Sequence, residues 1–536
     1  MWTTVVLVTC FFVVVRIIQA FVAKRRLQTF AQQHGCEEPE DVTGPFPYGV
    51  NRLRRMLTLA TSGEDILDDI IGSDFTNAAT VKFSGFDGNT AISTTEPANL
   101  QAILATQFKE FVGGDRRYHC FKPAIGHSIF NADGAFWEHS RALFRPQFSR
   151  ENINDLEMTD KASNSLITAI GSADASGWTA NQEMMPLIYN FTLDTATDFL
   201  FGETVGSQQL AIAARTGQTG TYSSDDDAQA KGVEAQAFAR SFAIVQDYIV
   251  MRIRLQSLWW LGDGFEFRKA TRTIRKFTDR FVQLAINTAA SPSKGEGKNQ
   301  SLMNSLATQT QDRKELQDQT LSILLAGRDT TASMLGWCLV RLAIHPEVFN
   351  KLRGIVLENF EPDEPITFVK LKDCRYLQHF LNEVLRLHPT VPLNSRNAAK
   401  DTTIPVGCGS DQKSPVVVRK GQVVLFCVYL MHRREDLWGE DALKFKPERW
   451  QHRIPAWQYL PFLGGPRICL GQQFALTETS YLLVRLLQQY DAMEPVHWDE
   501  MQKLKKGLGV TMWPQDGARV RFHKATAYQG TIANCI

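Results

Sequence analysis

Residues 316–344 form a long run of helix-forming, mostly apolar residues that stops at His345-Pro346, where proline cannot continue a helix. A helix that is apolar nearly all round either crosses a bilayer or runs through the interior of a large body. Arg328 and Asp329 near its middle would each cost roughly 2.5–3.5 kcal/mol inside a membrane, which favours the interior. Its centre is also poor helix: Gly327 costs ~1 kcal/mol against alanine, and Thr330 and Thr331 are weak formers. That composition suits a ligand passing close to the helix, or an ordinary buried helix with a kink.

An interior helix of this length needs a large core around it. The 536-residue chain is 44% hydrophobic and 21% charged, which supplies one and excludes a disordered chain. Basic and acidic side chains number 58 and 57, so there is no excess for gripping nucleic acid. Helical stripes recur at Leu193, Ala196, Phe199 and Leu200 and at Phe277, Phe281 and Leu284. Strand-like segments are confined to residues 80–94, 416–418 and 423–428 and to the neighbourhoods of Val510 and Val520. The fold class expected is mainly α with a small β region, as a single large helical domain over 51–525 with a tail at 526–536. The polar stretches 216–227 and 291–301 read as a surface insertion and a loop.

Residues 1–23 are almost wholly apolar and are followed at once by Lys24-Arg25-Arg26. About 20 such residues span a bilayer as a helix. A cleaved signal peptide would carry its positive charge before the apolar run, not after it. The basic residues stay on the cytosolic side, so 1–23 is expected to be a transmembrane signal anchor and 24–50 a basic, Pro/Gly-rich linker. Arg16 is the awkward residue, tolerable if it snorkels toward the cytosolic end. With the body in the cytosol, neither sequon, Asn190-Phe191-Thr192 or Asn299-Gln300-Ser301, should carry sugar.

Nine scattered cysteines with no CxxC pair do not read as a disulfide framework or a structural zinc site. One stands apart. Residues 461–476 read PFLGGPRICLGQQFAL, which places Cys469 in a Gly/Pro turn directly before a helical pattern. A thiol at a helix N-terminus meets free N–H groups and a positive dipole end, which lower its pKa. The glycines let a flat, bulky group approach the backbone, and Arg467 can pair with an acidic group on it. These features suit a haem with Cys469 as axial ligand to the iron and a propionate at Arg467. Local chemistry alone leaves a buried structural thiol as the equal alternative. The eleven histidines form no metal-spaced cluster, and His119, His127 and His139 read as loop and helix-face residues.

At the level of motifs the chain resembles the cytochrome P450 monooxygenases. Phe462, Gly465, Arg467, Cys469 and Gly471 match the family's FxxGxRxCxG haem-binding signature. Glu383 and Arg386 match its ExxR motif, and Pro447-Glu448-Arg449-Trp450 resembles its PERF element, with Trp450 where phenylalanine is usual. Residues 326–331, AGRDTT, fit the oxygen-activation motif of its long central helix, and Trp137 and Arg141 fit WxxxR. The resemblance spans roughly residues 45–520 and implies the cytochrome P450 fold, haem b, and insertion of one oxygen atom from dioxygen into substrate. It implies Asp329 and Thr330 as catalytic residues for proton delivery, although a buried threonine also commonly bonds back to its own helix. It implies Trp137, Arg141, Arg396 and Arg467 as haem-propionate contacts, and Glu383, Arg386 and Arg449 as a buried structural network.

The strings FTLDTATDFLFG, FWEHSRALFRPQFSR and GGPRICLGQQFALTE resemble most the fungal branch that hydroxylates n-alkanes and fatty acids at or near a terminal methyl. By family position, Phe130, Leu325, Val391 and Leu393 would line the substrate pocket. The implied partners are a membrane-bound NADPH–cytochrome P450 reductase, with cytochrome b5 as a further donor, and the implied location is the endoplasmic reticulum membrane. Oxidation of a polyketide or terpenoid is the alternative substrate class. A non-catalytic haem-thiolate sensor or carrier would not need the Asp329-Thr330 pair, and a peroxide-driven enzyme would not need a reductase.

Overall fold

The computed structural model describes residues 2–44, 54, 65–85, 87–149, 154–216, 226–290, 301–361, 364–497, 499 and 503–526. It is 60% helix and 13% strand, the mainly α class expected. The polar stretch 217–225, the loop 291–300, residues 45–50 of the linker 24–50, residues 51–53 and 55–64 after it, and the tail from 527 lie outside the described residues, so those boundaries stay as expectations.

The chain divides into two compact units where one domain over 51–525 was expected. The first comprises Met1–Gly114, Leu393–Met431 and Leu463–Arg467, and the second Asp115–Pro392, His432–Phe462 and Ile468–Ile536. In the first unit, helix α1 (Trp2–Gln33) runs unbroken through the basic triplet, well past the expected end at 23. Its apolar side chains are exposed, Leu7, Phe11 and Ile17 each by more than half, and it is a candidate membrane span. The rest of this unit is built on a six-stranded mixed sheet. At its centre Thr90–Thr94 runs parallel to Val423–Cys427, which pairs antiparallel with Leu393–Ala398. Ile92, Val424 and Phe426 are buried on one face of it, and Val81 is buried on the other.

The second unit holds the helices. In chain order those that shape the site are α2 (Gly114–Ile125), α3 (Gly134–Phe144), α4 (Met184–Phe201), α5 (Asp226–Arg254), α6 (Phe265–Ala290), α7 (Arg313–Ile344), α8 (Arg375–Leu387) and α9 (Gln472–Gln489). Helix α7 is the predicted interior helix, starting three residues earlier than its apolar run. Asp312 caps it, accepting from the N–H groups of Lys314 and Glu315 at 2.8 and 3.2 Å. It continues through Gly327 without a break and stops at His345, so the kinked alternative is not seen. Residues 331–343 of α7 are all buried. Leu335, Trp337 and Leu339 pack there with Ile188 and Phe191 of α4, Leu377 and Leu381 of α8, and Leu483 of α9.

The first sequon falls on α4, where Phe191 and Thr192 are buried. In the folded state no glycosylating enzyme reaches it, whichever side of a membrane the body occupies. The second lies outside the described residues.

Candidate functional site

Within the second unit, α9 begins at Gly471, two residues after Cys469. The Cys469 N–H donates to the Phe462 carbonyl at 3.1 Å and closes the loop 462–469. Leu463 and Gly465 bend that loop in the left-handed region, at φ 60° and 70°. Gly465 is required by protein packing: a Cβ there would sit 1.8 Å from the Leu104 carbonyl oxygen. Gly471 carries no such demand, since a Cβ would meet only Phe148 at an ordinary 3.7 Å.

Cys469 departs from one expectation. Burial pushes its thiol above the ordinary value, outweighing the Gly471 N–H and the Arg141 guanidinium, which both pull it down. The helix N-terminus acts with the expected sign but is the smaller effect. A bound metal ion would overcome the burial, because a coordinating thiol is deprotonated outright.

Arg141 approaches from α3. Its Nη1 donates to the Ile468 carbonyl at 3.1 Å, and its guanidinium lies 5.8 Å from the ring of buried Trp137 one turn earlier. Burial lowers the Arg141 pKa, and Cys469 raises it. The WxxxR pair and the cysteine are thus brought together. In the first unit, Arg467 ends the 3₁₀ turn Gly465–Arg467. Arg396 stands in register with Val424 on the sheet, 2% exposed, and donates to Ser395 O at 2.8 Å and Asn394 Oδ1 at 3.2 Å.

Helix α7 shows where it faces open space. Among residues 321–331, surface is left on Ile323, Ala326, Gly327, Asp329 and Thr330. Positions 323, 326, 327 and 330 fall on one helical stripe. A Cβ on Gly327 would touch nothing within 4 Å. Leu325, expected in the pocket, lies on the other side of the helix and packs in the core at 5% exposure.

Asp329 accepts from Arg328 Nη1 at 3.0 Å. Burial pushes the Asp329 carboxyl up, and Arg328 pulls it back. The Arg328 guanidinium also lies over the rings of Tyr189 and Phe242, at 4.8 and 5.7 Å, which helps an interior helix carry that cation. Thr330 Oγ1 donates to the Ala326 carbonyl at 2.8 Å. The back-bonding alternative therefore holds for its proton, while its oxygen can still accept.

Glu383 and Arg386 of α8 are both fully buried and form a two-pronged ion pair at 2.8 Å. Arg386 further donates to the carbonyls of His432, Ala442 and Lys444. Arg449 bonds to Asp441 at 2.7 Å and lies 3.6 Å from Glu383. Trp450 is more than a tolerated replacement: its Nε1 donates to Glu383 Oε2 at 3.1 Å, a bond phenylalanine cannot make. His432 joins unexpectedly, taking the Leu460 N–H on Nε2 at 2.9 Å. Burial depresses it to about 3, so it stays neutral and free to accept. Sequence reading also passed over Glu478, a buried carboxylate on α9 with no charged partner nearby in the chain.

Haem b can be tested against these residues. The Cys469 residue keeps open surface while the protein around its thiol desolvates it. The same unit leaves the α7 stripe open. Within the second unit, a soft sulfur donor at a helix N-terminus with the Arg141 guanidinium beside it is the donor chemistry that an iron porphyrin carrying carboxylates asks for. The residues fit the group.

Comparison with known proteins agrees. The cytochrome P450 family model matches residues 85–521. Cytochrome P450 monooxygenase g430 of Fusarium sp is 41% identical over 497 residues, covering 91% of this chain and 85% of its own. Cytochrome P450 monooxygenase alt2 of Alternaria solani is 39% identical, covering 91% of each. Cytochrome P450 52A5 of Candida maltosa is 44% identical over 411 residues, 75% of each chain. The crystal structure of the cytochrome P450DA haem domain superposes with a TM-score of 0.69 at 18% identity, covering 92% of this chain and 99% of that one.

Proposed function

Because this chain belongs to the cytochrome P450 family and is a haem b monooxygenase, we propose that it hydroxylates an apolar, chain-like substrate, an alkane or fatty acid, at or near its terminal methyl. The observation that carries the substrate reading is the open stripe on α7, lined by Ile323, Ala326 and Gly327 with Thr330 at one end. It offers an unbranched chain apolar contact and little hydrogen bonding. The resemblance to the fungal alkane and fatty-acid branch supports the same class.

The haem, when bound, supplies the activation of dioxygen, with a thiolate ligand donating electron density that favours O–O cleavage. Cys469 would ligate the iron; its N–H is held by the Phe462 carbonyl and its sulfur accepts from the Gly471 N–H. By the family resemblance, Trp137, Arg141, Arg396 and Arg467 would hold the propionates. Glu383, Arg386 and Arg449, with Trp450, brace the segment 432–460. Asp329 holds a proton more readily than an exposed aspartate, because burial disfavours its charge. The Thr330 oxygen, its own proton committed to Ala326, accepts a hydrogen bond from a water that passes the proton on.

Electrons come from an NADPH–cytochrome P450 reductase, with cytochrome b5 as a further donor. Helix α1 anchors the chain in the endoplasmic reticulum membrane with the catalytic body in the cytosol. A second substrate class, the alkyl arm of a polyketide or terpenoid, is supported by the matches from Fusarium and Alternaria, which are as extensive as those from yeasts. Spectral titration tests the reading. Lauric acid or n-hexadecane should shift the haem to high spin and yield terminal or near-terminal alcohols with reductase and NADPH. A shift seen only with aromatic polyketides would overturn it.

A further inference from the structure

Past the apolar run of α1 the first unit stays structured where a linker was expected. The helix continues from Lys24 to Gln33, and the Cys36 N–H closes its end on the Ala31 carbonyl at 2.8 Å, with Gly35 in the left-handed region at φ +63°. Glu37 enters a sheet directly. Its N–H donates to the Pro415 carbonyl at 3.2 Å, it bridges Val416, and its Oε1 accepts from Ser414 Oγ at 2.8 Å. Glu40–Asp41 then pairs parallel with Val81 and Lys82.

A further tie lies higher on the helix. Arg26 Nη2 is 3.4 Å from Asp401 Oδ2, and Asp401 Oδ1 accepts the Lys420 N–H at 2.8 Å. The Gly421 N–H donates to the Ala398 carbonyl at 2.7 Å, so the turns 399–402 and 419–421 lie side by side. An exposed ion pair adds little energy. Its value is that it marks the level of both turns along α1.

That level follows from helix geometry. At 1.5 Å per residue, Arg26 stands about 4.5 Å along the axis past Ala23, where the apolar run ends. Helical side chains lean toward the N-terminus, which here is the membrane side. The headgroup layer on each face of a bilayer is about 5–7 Å deep, so the Arg26–Asp401 pair falls inside it. The apolar stretch of α1 is 0% buried by protein, so nothing in the chain keeps lipid from closing around it.

Charge at this level suits anionic lipid. Lys24, Arg25, Arg419 and Lys420 are exposed, and neither Lys24 nor Lys420 has a carboxylate partner among the described residues. The neighbouring carboxylates Asp401 and Glu110 are taken by Arg26 and Lys400. We propose that the turns 399–402 and 419–421 dock on anionic phospholipid headgroups of the cytosolic leaflet through Arg419 and Lys420, beside Lys24, and that α1 is a stiff mount holding this edge of the first unit on the bilayer. The inference rests on the reading of α1 as the membrane anchor with the body in the cytosol.

The test uses the full-length, haem-loaded chain in vesicles of phosphatidylcholine, alone or with about one third phosphatidylserine. Acylation by acetic anhydride, a neutral reagent, followed by mass spectrometry reads Lys420. Labelling of Lys420 should be about tenfold slower with phosphatidylserine, and high salt should remove the difference. Arg419→Glu should keep the carbon monoxide band of the thiolate-ligated haem and bring the lipid effect on Lys420 below about twofold. Equal labelling of wild-type Lys420 in the two lipids, in a chain that resists alkaline carbonate extraction, would overturn the inference and leave the anchor standing. Release of the chain by carbonate would overturn both. Protection that appears only when reductase is added would assign the patch to an acidic protein surface and overturn the lipid reading.

Discussion

Glu478 offers a quantitative test of the packing around α9. It is 2% exposed, its Oε1 has no hydrogen-bond partner among the described residues, and the contact that eases its charge is the Thr195 side chain. Burial pushes its carboxyl from an ordinary 4.5 up to about 8. Between those two values the folded chain keeps a proton that the unfolded chain has lost. Stability therefore falls as pH rises from about 4.5 toward 8 and is flat with respect to this group outside that window. At ~1.4 kcal/mol per pH unit, the loss between pH 5.5 and 7.5 is on the order of 2–3 kcal/mol. Glu478→Gln keeps the shape and removes the titration. Its amide costs about 1–3 kcal/mol in this site at every pH, so the slope is the signal and the absolute stability is not. Urea midpoints, followed by the thiolate carbon monoxide band, should show the variant gaining on the wild type by that 2–3 kcal/mol as pH rises. A difference between the two that stays constant from pH 5.5 to 7.5 would refute the reasoning.

Three other substitutions address the site. Cys469→Ala should abolish the thiolate carbon monoxide band and all turnover, and a retained band would remove this residue as the ligand. Glu383→Gln leaves Arg386 buried without its counter-charge and should cost ~3–5 kcal/mol. Trp450→Phe removes one of several donors to the same carboxylate and should cost only ~1–2 kcal/mol; urea midpoints in the reverse order would contradict the network. Thr330→Ala should leave the spin shift with lauric acid intact while diverting more NADPH to hydrogen peroxide. Unchanged coupling would mean that the hydroxyl serves only its own helix.

The parts of this protein legible in the chain are those whose chemistry is local. The Cys469 turn, the interior helix and the ExxR pair each carry their partners within a few residues, so spacing reports them directly. Trp450 was legible as a departure, but its bond to Glu383 was not, because the partner lies on another helix. Leu325 was placed in the pocket by family position, whereas the folded chain packs it in the core and leaves surface on residues 323, 326 and 327 instead. The thiol pKa was read from the helix terminus alone, without the larger desolvation that only the folded body imposes.

The clamp on the loop 126–131, in which Asp318 accepts from the His127 N–H and from Arg275, had no signal in the chain at all. Asp318 and Arg275 stand on different helices, and His127 is far from both in sequence; an ordinary Asp, Arg and His show no pattern until the helices pack. Sequence alone carried the cofactor class and the fold through the resemblance of its motifs to a family, and helix periodicity gave the mainly α class, because motif spacing and periodicity are written in short range. Tertiary structure decided which residues of α7 keep surface, which charges are buried and what anchors the loop 126–131, because burial is a property of the whole body and not of any segment.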